Sequence, residues 1–187
     1  VFGDIRDWVT DNKTAGKSSV LIAYSLGKAQ RVLQAFEGMD ERIFVHGAIW
    51  NTHEVLVKAG WQLPKVERIT NETQKEDLKG AIVLAPPSAD GTPWMKRFGS
   101  YSTGVCSGWM QVRGNMRRRN ADRGFVLSDH CDWPGLLTAV KATGAEKVFT
   151  THGFTSVFSR YLNEQGIWSA EVKTEFGEEE EGGPVTI

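Results

Sequence analysis

Two histidines follow apolar runs of the same kind, and histidine in such a place can bind a metal or transfer a proton. His130 follows residues 125–127, and His152 follows residues 147–150. The stretch between them, residues 133–143, has apolar positions at helical spacing: Leu136, Leu137 and Val140. The order strand, His, helix, strand, His predicts that both imidazoles lie at the carboxyl ends of neighbouring parallel strands. Open α/β sheets place their chemistry at that edge.

Strand and helix patterns also alternate through the rest of the chain. Apolar runs predict strands at residues 18–24, 42–46, 80–85 and 168–172, and one-sided spacing predicts helices at 5–12, 28–36, 51–59 and 154–165. Residues 99–107 are rich in Gly and Ser and are either a strand with bulges or a loop. Asn51 or Thr52 is the predicted cap of the helix at 51–59. Such alternation predicts βαβ units and a parallel sheet with helices on both faces.

The loop at residues 24–30 joins a predicted strand to a predicted helix and contains Ser25, Gly27 and Lys28. Backbone N–H groups at the start of a helix can hold a phosphate. The loop lacks the second glycine and the Gly-Lys-Ser/Thr ending of a P-loop. Phosphate binding and a purely structural turn therefore both remain open.

The other histidines and the cysteines are weaker candidates. We expect His46 to be a polar loop residue and His53 to be exposed near a helix start. No Cys-x-x-Cys pair supports a zinc site with either. Cys106 and Cys131 form no disulfide framework, which favours a cytoplasmic location. Cys131 adjoins His130 only in sequence, which is weak support for a thiol nucleophile.

The composition is that of a soluble globular protein with one good-sized domain or two small ones. The chain has 187 residues, of which 40% are hydrophobic and 24% charged. It has no apolar run long enough for a bilayer and no secretory signal. The net charge is −1, but the charges are unevenly distributed along the chain. A cluster of arginines lies within residues 113–123, and a run of glutamates occupies residues 178–181. The arginines suit phosphate contacts or a solvated loop, and the glutamates a solubilising tail.

Three co-linear motifs resemble the β-CASP branch of the metallo-β-lactamase-fold nucleases. Residues 128–132 resemble its Ser-x-His-x-Asp motif, and residues 151–153 resemble its motif C in the histidine form. Residues 24–30 are similar to the Phe-Ala-Leu-Gly-Arg-Ala-Gln segment that opens the inserted domain of these enzymes. Residues 108–114 and 132–136 also resemble the bacterial ligase-associated exonucleases, a group described as similar to mRNA 3′-end-processing factors.

The resemblance covers only the carboxyl-terminal portion of that family. The His-x-His-x-Asp-His motif, a further His and Asp, and the acidic motif A are not found in this sequence. No initiator methionine precedes Val1, and we expect a fragment. The resemblance implies that residues 1–112 are a Rossmann-like β-CASP domain and residues 113–187 the returning strand–helix segment of the lactamase sandwich. Cys131 stands where a small residue is common in the family, and we expect the difference to have no effect on packing.

The resemblance also implies roles for individual residues. His152 would bind one of two zinc ions, with Mn²⁺ as an alternative metal, and His130 would protonate the leaving oxygen of the scissile phosphate. Asp132 would either orient a neighbouring group in catalysis or cap the helix that starts at Trp133. The implied nucleic-acid cleft is lined by Ser25, Gly27, Lys28, Arg113, Arg117, Arg118 and Arg119.

These implications define the expected function. The parent protein would be a metal-dependent nucleic-acid phosphodiesterase, an exonuclease of DNA repair or RNA 3′-end processing. The chain alone is expected to be inactive and to bind no zinc tightly. Expected partners are single-stranded DNA or RNA, the missing lactamase half, a DNA ligase and a helicase, but no membrane. The alternatives are a non-catalytic α/β domain that binds nucleic acid or a nucleotide, and a small-molecule hydrolase.

Overall fold

The computed structural model describes residues 1–112 and 121–172 and divides the chain into two compact units. Unit 1 is Val1–His130, and unit 2 begins at Cys131. The predicted domain division at residue 112 rests on the family resemblance and stays a prediction. Within the described ranges, no helix is long and apolar enough to cross a membrane.

Unit 1 alternates helices and strands. Its helices are α1 (Phe2–Thr14), α2 (Lys28–Leu33) and α3 (Gly47–Lys58). Its strands are β1 (Ser18–Ile22), β2 (Ile43–Val45), β3 (Glu67–Arg68), β4 (Ile82–Ala85), β5 (Tyr101–Cys106) and β6 (Arg123–Phe125). Short 3₁₀ segments lie at Gln34–Phe36, Pro87–Ala89, Pro93–Phe98 and Gly108–Gln111.

The six strands form one sheet in the order β3-β2-β4-β1-β5-β6. Every pair is parallel, and β1 lies centrally, with Val20 opposite Val83 on one side and Thr103 on the other. β1, β2 and β4 are short and buried along their whole length, as expected where both faces of a parallel sheet are covered. The predicted α/β class with a parallel sheet is confirmed.

Successive residues of the central strand pack on opposite faces of this sheet. Leu21 belongs to a buried cluster with residues of α1, α2 and α3. Val20 and Ile22 belong to a second cluster, which includes Met95 and Phe98 from a 3₁₀ segment. In the described part of unit 1, the α-helices therefore cover one face, and 3₁₀ and loop residues cover the other. Helices were predicted on both faces. On the second face, 3₁₀ segments and loops cover the sheet in place of α-helices.

Unit 2 is a small βαβ arrangement preceded by a helix. Its described elements are α4 (Trp133–Thr143), β7 (Lys147–Thr150), α5 (Thr155–Glu164) and β8 (Trp168–Glu171). β7 pairs in parallel with β8 as a two-stranded sheet, whereas β6 pairs with β5 in the larger sheet. The prediction that the strands before the two histidines are neighbours in one sheet is therefore wrong.

Candidate functional site at the carboxyl edge of the sheet

Three loops follow adjacent strands at the carboxyl edge of the unit 1 sheet. They are residues 24–27 after β1, residues 107–108 after β5 and residues 126–130 after β6. The chain leaves β1 towards β2 on one side, and it leaves β5 towards β6 on the other. Open α/β sheets bind ligands in the crevice where connections diverge in this way. The predicted site residues Ser25, Gly27, Lys28 and His130 all belong to this edge or follow it directly.

The loop after β1 is closed by one buried glutamine. The Gly27 N–H donates a hydrogen bond to Gln30 Oε1 at 2.8 Å, and Gln30 Nε2 donates to the Ser25 carbonyl oxygen at 3.0 Å. Gly27 has a φ of 78°, in the left-handed region that glycine adopts without strain. The loop is thus a compact turn with its own hydrogen bonds, which fits the structural alternative for this segment.

Lys28 joins the loop after β1 to the loop after β6. Its Nζ lies 2.9 Å from Asp129 Oδ1, and only 5% of the Lys28 surface is exposed. The same ammonium lies 5.0 Å from the centre of the Tyr24 ring, within cation–π range. The predicted phosphate contact needs an exposed ammonium group, and Lys28 does not offer one. Its charge is instead used inside unit 1.

Asp129 is ionised at neutral pH in this environment. Partial burial raises the pKa of Asp129. The Lys28 hydrogen bond, a backbone hydrogen bond and the charges of Lys28 and His130 lower it, and together they outweigh the effect of burial. The net pKa of Asp129 therefore falls below its ordinary value. A carboxylate in this state cannot donate a proton, which agrees with the assignment of His130, not Asp129, as the candidate acid.

His130 follows this ion pair directly in the chain. Its backbone N–H donates to Ser128 Oγ at 3.1 Å, and its side chain is exposed. Ser128 packs closely on the loop after β5, because a Cβ at Gly108 would lie 3.2 Å from Ser128 Cβ. The imidazole thus projects from a backbone that neighbouring loops hold in place.

Cys106 ends β5 beside these groups and is chemically quiet. Burial raises the pKa of its thiol to about 12, although the charge on Lys28 opposes the shift. A thiol with this pKa is protonated at neutral pH and is a poor nucleophile. Cys131 is exposed, and neither cysteine is paired in a disulfide.

His152 lies in unit 2 at the end of β7. Its φ is 64°, and no other non-glycine residue in the described ranges has a positive φ. This conformation costs free energy for a residue with a Cβ and is most common at functional sites. The side chain is exposed, and Nδ1 lies 3.0 Å from Thr151 Oγ1.

Asp132 caps α4. Its carboxylate accepts a hydrogen bond from the Gly135 N–H at 2.9 Å, and Pro134 occupies the first turn, where no N–H is needed. The capping role is confirmed, whereas the catalytic role stays a prediction.

The structure corrects two expectations about the remaining histidines. His53, expected to be exposed, is 4% exposed, and burial lowers its pKa although Glu54 opposes the shift. His46 caps α3 in place of Asn51 or Thr52: its Nδ1 accepts from the Ala48 N–H at 3.1 Å. The helix begins four residues before the predicted start because an imidazole can cap it there. His46 also packs edge-to-face on Trp94, so its role is structural.

The described residues do not by themselves fit a zinc centre. A zinc site needs three or four protein ligands. Residues 1–112 and 121–172 contain no group of three His, Cys, Asp or Glu side chains placed to hold a metal. The Asp129 carboxylate forms an ion pair with Lys28, and the Asp132 carboxylate accepts a hydrogen bond from the Gly135 N–H.

Sequence reasoning missed several residues at this edge, and some predicted site residues lie outside the described ranges. Arg31, three residues after Lys28, donates a hydrogen bond from Nη1 to the Ser128 carbonyl oxygen. The i, i+3 spacing was the available signal. Tyr24 and Trp109 are exposed by 59% and 62%. The predicted nucleic-acid residues Arg113, Arg117, Arg118 and Arg119 lie outside the described residues.

Comparison with known proteins adds one relative. No family model matches this chain. Over 167 residues the chain is 29% identical to a protein of Opitutus terrae named probable DNA ligase. The match covers 89% of this chain but 16% of the relative, so the chain spans about a sixth of that protein's length.

Proposed function

We propose that this chain is part of a metal-dependent phosphodiesterase that degrades nucleic acid from an end. The observation that carries the proposal is the Ser128–His130 segment, which presents an exposed imidazole at the switch point of a parallel sheet. Histidine suits proton transfer near neutral pH, and the ionised Asp129 beside it cannot supply a proton. His130 therefore serves as the general acid for the leaving oxygen.

The relative supports nucleic acid as the substrate class and favours DNA over RNA. That protein is named a DNA ligase, and it contains the matched stretch within a chain about six times longer. A nuclease and a ligase in one polypeptide fit DNA repair, because broken ends need trimming before they are joined. RNA 3′-end processing is the competing assignment within the same proposal.

Exposed aromatic residues support a single-stranded substrate. Tyr24 follows β1 and Trp109 follows β5, and these strands are neighbours. Bases of a single strand stack on such side chains, whereas a paired duplex hides its base faces. In sequence, Arg113 and Arg117–Arg119 come shortly after Trp109, and guanidinium groups bind phosphates well. Ser25 and Gly27 belong to the turn that follows Tyr24, so they border the proposed cleft.

The proposal assigns the metal chemistry mainly to residues outside this chain. His152 is the ligand that this chain contributes, and its strained backbone supports a functional role. Zinc is the proposed metal, with manganese as the alternative. The exposed apolar side chains of unit 2, among them Phe149 and Trp168, support a missing lactamase half that packs on them. A DNA ligase and a helicase are the proposed protein partners.

A degradation assay tests this function in the full-length protein. End-labelled single-stranded DNA and RNA are incubated with the protein and Mn²⁺ or Zn²⁺, and the product ladders are resolved. We expect stepwise shortening of DNA that a chelator abolishes and added metal restores. Internal cuts would contradict exonuclease action, and no cleavage of either polymer would overturn the proposed function.

A non-catalytic nucleic-acid-binding domain is the second candidate. It is favoured by the engagement of Asp129 and Asp132 in internal contacts and by the absence of a metal-ligand group from residues 1–112 and 121–172. Under this alternative, His130→Ala and His152→Ala leave both the nucleic-acid affinity and the function of the full-length protein unchanged. Loss of turnover with retained affinity would reject it.

A further inference from the structure

Two cations of α2 contact successive residues of the loop before His130. Lys28 and Arg31 are three positions apart and so share one side of the helix. Lys28 Nζ lies 2.9 Å from Asp129 Oδ1, and Arg31 Nη1 donates to the Ser128 carbonyl oxygen. One short helix therefore holds both the backbone and the side chain of this loop.

The Lys28 end of the ion pair with Asp129 is buried, which makes the pair a stronger restraint than one between two exposed side chains. Lys28 is 5% exposed, whereas 27% of the Asp129 side chain is exposed. Surface ion pairs contribute little because water and salt screen them. Removing one partner of a buried pair leaves an uncompensated charge, which is strongly unfavourable. Movement of the loop away from α2 would break this pair.

The start of α2 is itself fixed. Gln30 bonds both the Gly27 N–H and the Ser25 carbonyl oxygen, so the turn before α2 is closed by a buried side chain. At the other end, the His130 N–H is bonded to Ser128 Oγ. The restraint thus runs without interruption from the end of β1 to the backbone of His130.

We propose that Lys28 and Arg31 form a clamp that positions His130 for the hydrolysis proposed above, on which this inference rests. Both are positioning residues: they act through Asp129 and Ser128 and do not touch the nucleic acid. The clamp replaces the phosphate contact that the sequence predicts for Lys28.

Hydrogen exchange in the 187-residue chain tests whether the clamp exists, and the measurement does not require enzymatic activity. In Lys28→Met we expect the amides of Asp129 and His130 to exchange about tenfold faster, with the β4 amides unchanged. Lys13→Met is the matched control, because Lys13 Nζ lies 2.8 Å from Glu41 Oε1 in an exposed pair. Unchanged exchange at Asp129 and His130 in a folded Lys28→Met chain would overturn the clamp.

Kinetics of the full-length protein on end-labelled single-stranded DNA test what the clamp does. In Lys28→Met we expect kcat to fall about tenfold or more with KM within twofold, because misplacement of a reacting group slows the chemical step. Lys28→Arg should restore most of kcat. The double variant Lys28→Met/Asp129→Leu should fold, since an apolar pair can replace a buried ion pair, yet turn over slowly.

A phosphate contact by Lys28 predicts a different pattern. KM would rise, kcat would stay, and the salt dependence of binding would weaken by about 0.7 in log–log slope for one lost contact to a single strand. That pattern, or unchanged kcat and KM, would overturn the inference. If the full-length protein degrades no nucleic acid, the proposed function fails, whereas the exchange measurement still decides whether the clamp exists.

Discussion

The two units differ in how completely they bury their own apolar residues. In unit 1, both faces of the six-stranded sheet are covered by buried clusters. Among the described residues of unit 2, Leu162 alone is a buried large apolar residue, and α4 contains no buried residue. Phe154 is 80% exposed. Parallel strands normally have both faces covered, and the described residues of unit 2, 131–172, do not provide that cover.

This difference separates the two candidate histidines. His130 follows a strand of a sheet that unit 1 closes with its own residues, whereas His152 follows a strand of an unclosed two-stranded sheet. We infer that the position of His130 is determined within this chain. Under the proposed function, the position of His152 depends on the lactamase half that would cover unit 2.

The largest expected effect is a difference in amide exchange between the units of the 187-residue chain. β1 and β4 are buried on both faces, while β7 and β8 are largely exposed. We expect amides of β7 and β8 to exchange about 100-fold faster or more, because few buried contacts oppose local opening. Exchange of hydrogen for deuterium followed by NMR measures this. Equal protection in the two sheets would show that the two units are equally well packed.

Apolar truncations should cost unequal free energies of unfolding in the two units. Leu21→Ala, in the centre of the unit 1 sheet, should cost about 3 kcal/mol, since it removes a fully buried side chain. Phe154→Ser, its exposed counterpart in unit 2, should change the free energy by less than about 0.5 kcal/mol. Urea titrations measure both. A cost for Phe154→Ser near that of Leu21→Ala would show that unit 2 has a closed core.

The Asp132 cap is a local source of stability in unit 2. Asp132→Ala should cost about 1 kcal/mol through loss of the hydrogen bond to the Gly135 N–H, and Asp132→Asn should cost less. Thermal melts of the 187-residue chain check this. In the full-length protein, a large loss of turnover in Asp132→Asn would point to the catalytic role in addition.

The smallest expected effect is a pH dependence that arises in unit 1. Burial lowers the pKa of His53, and its Nδ1 has no hydrogen-bond partner in the described part of the chain. As the pH falls through about 6.5, the unfolded chain binds a proton that the folded chain resists, so stability falls. His53→Leu should flatten stability between pH 7.5 and pH 5.5, as urea titrations at each pH would show. An unchanged slope would assign the acid sensitivity to other groups.

Local patterns were sufficient to predict most of the fold. The alternation of short apolar runs and one-sided helices led to the parallel sheet, and the strand at 80–85 is observed as Ile82–Ala85. The two-residue strand Glu67–Arg68 was missed because it is too short and too exposed to carry a periodic signal. The start of α3 was missed because histidine is an uncommon cap.

The site was less predictable, because its contacts join distant parts of the chain. Ser25–Lys28 and His130 were identified from local composition and resemblance, but Lys28 was assigned to phosphate. Only the fold shows that Asp129, about a hundred residues away in sequence, neutralises it. The same applies to His53, whose burial depends on what packs on α3. Local pattern also could not show that β6 joins the sheet of unit 1 whereas β7 pairs with β8.

Turnover of end-labelled single-stranded DNA by histidine variants of the full-length protein tests whether His130 and His152 take part in hydrolysis. His46→Asn is the matched control, because asparagine can cap α3 as His46 does. The account predicts that His130→Ala loses about a hundredfold or more in kcat, the contribution of a general acid. It also predicts that His152→Ala loses both metal and turnover, while the control stays near the parent rate. Parent-like rates for His130→Ala and His152→Ala would contradict the account.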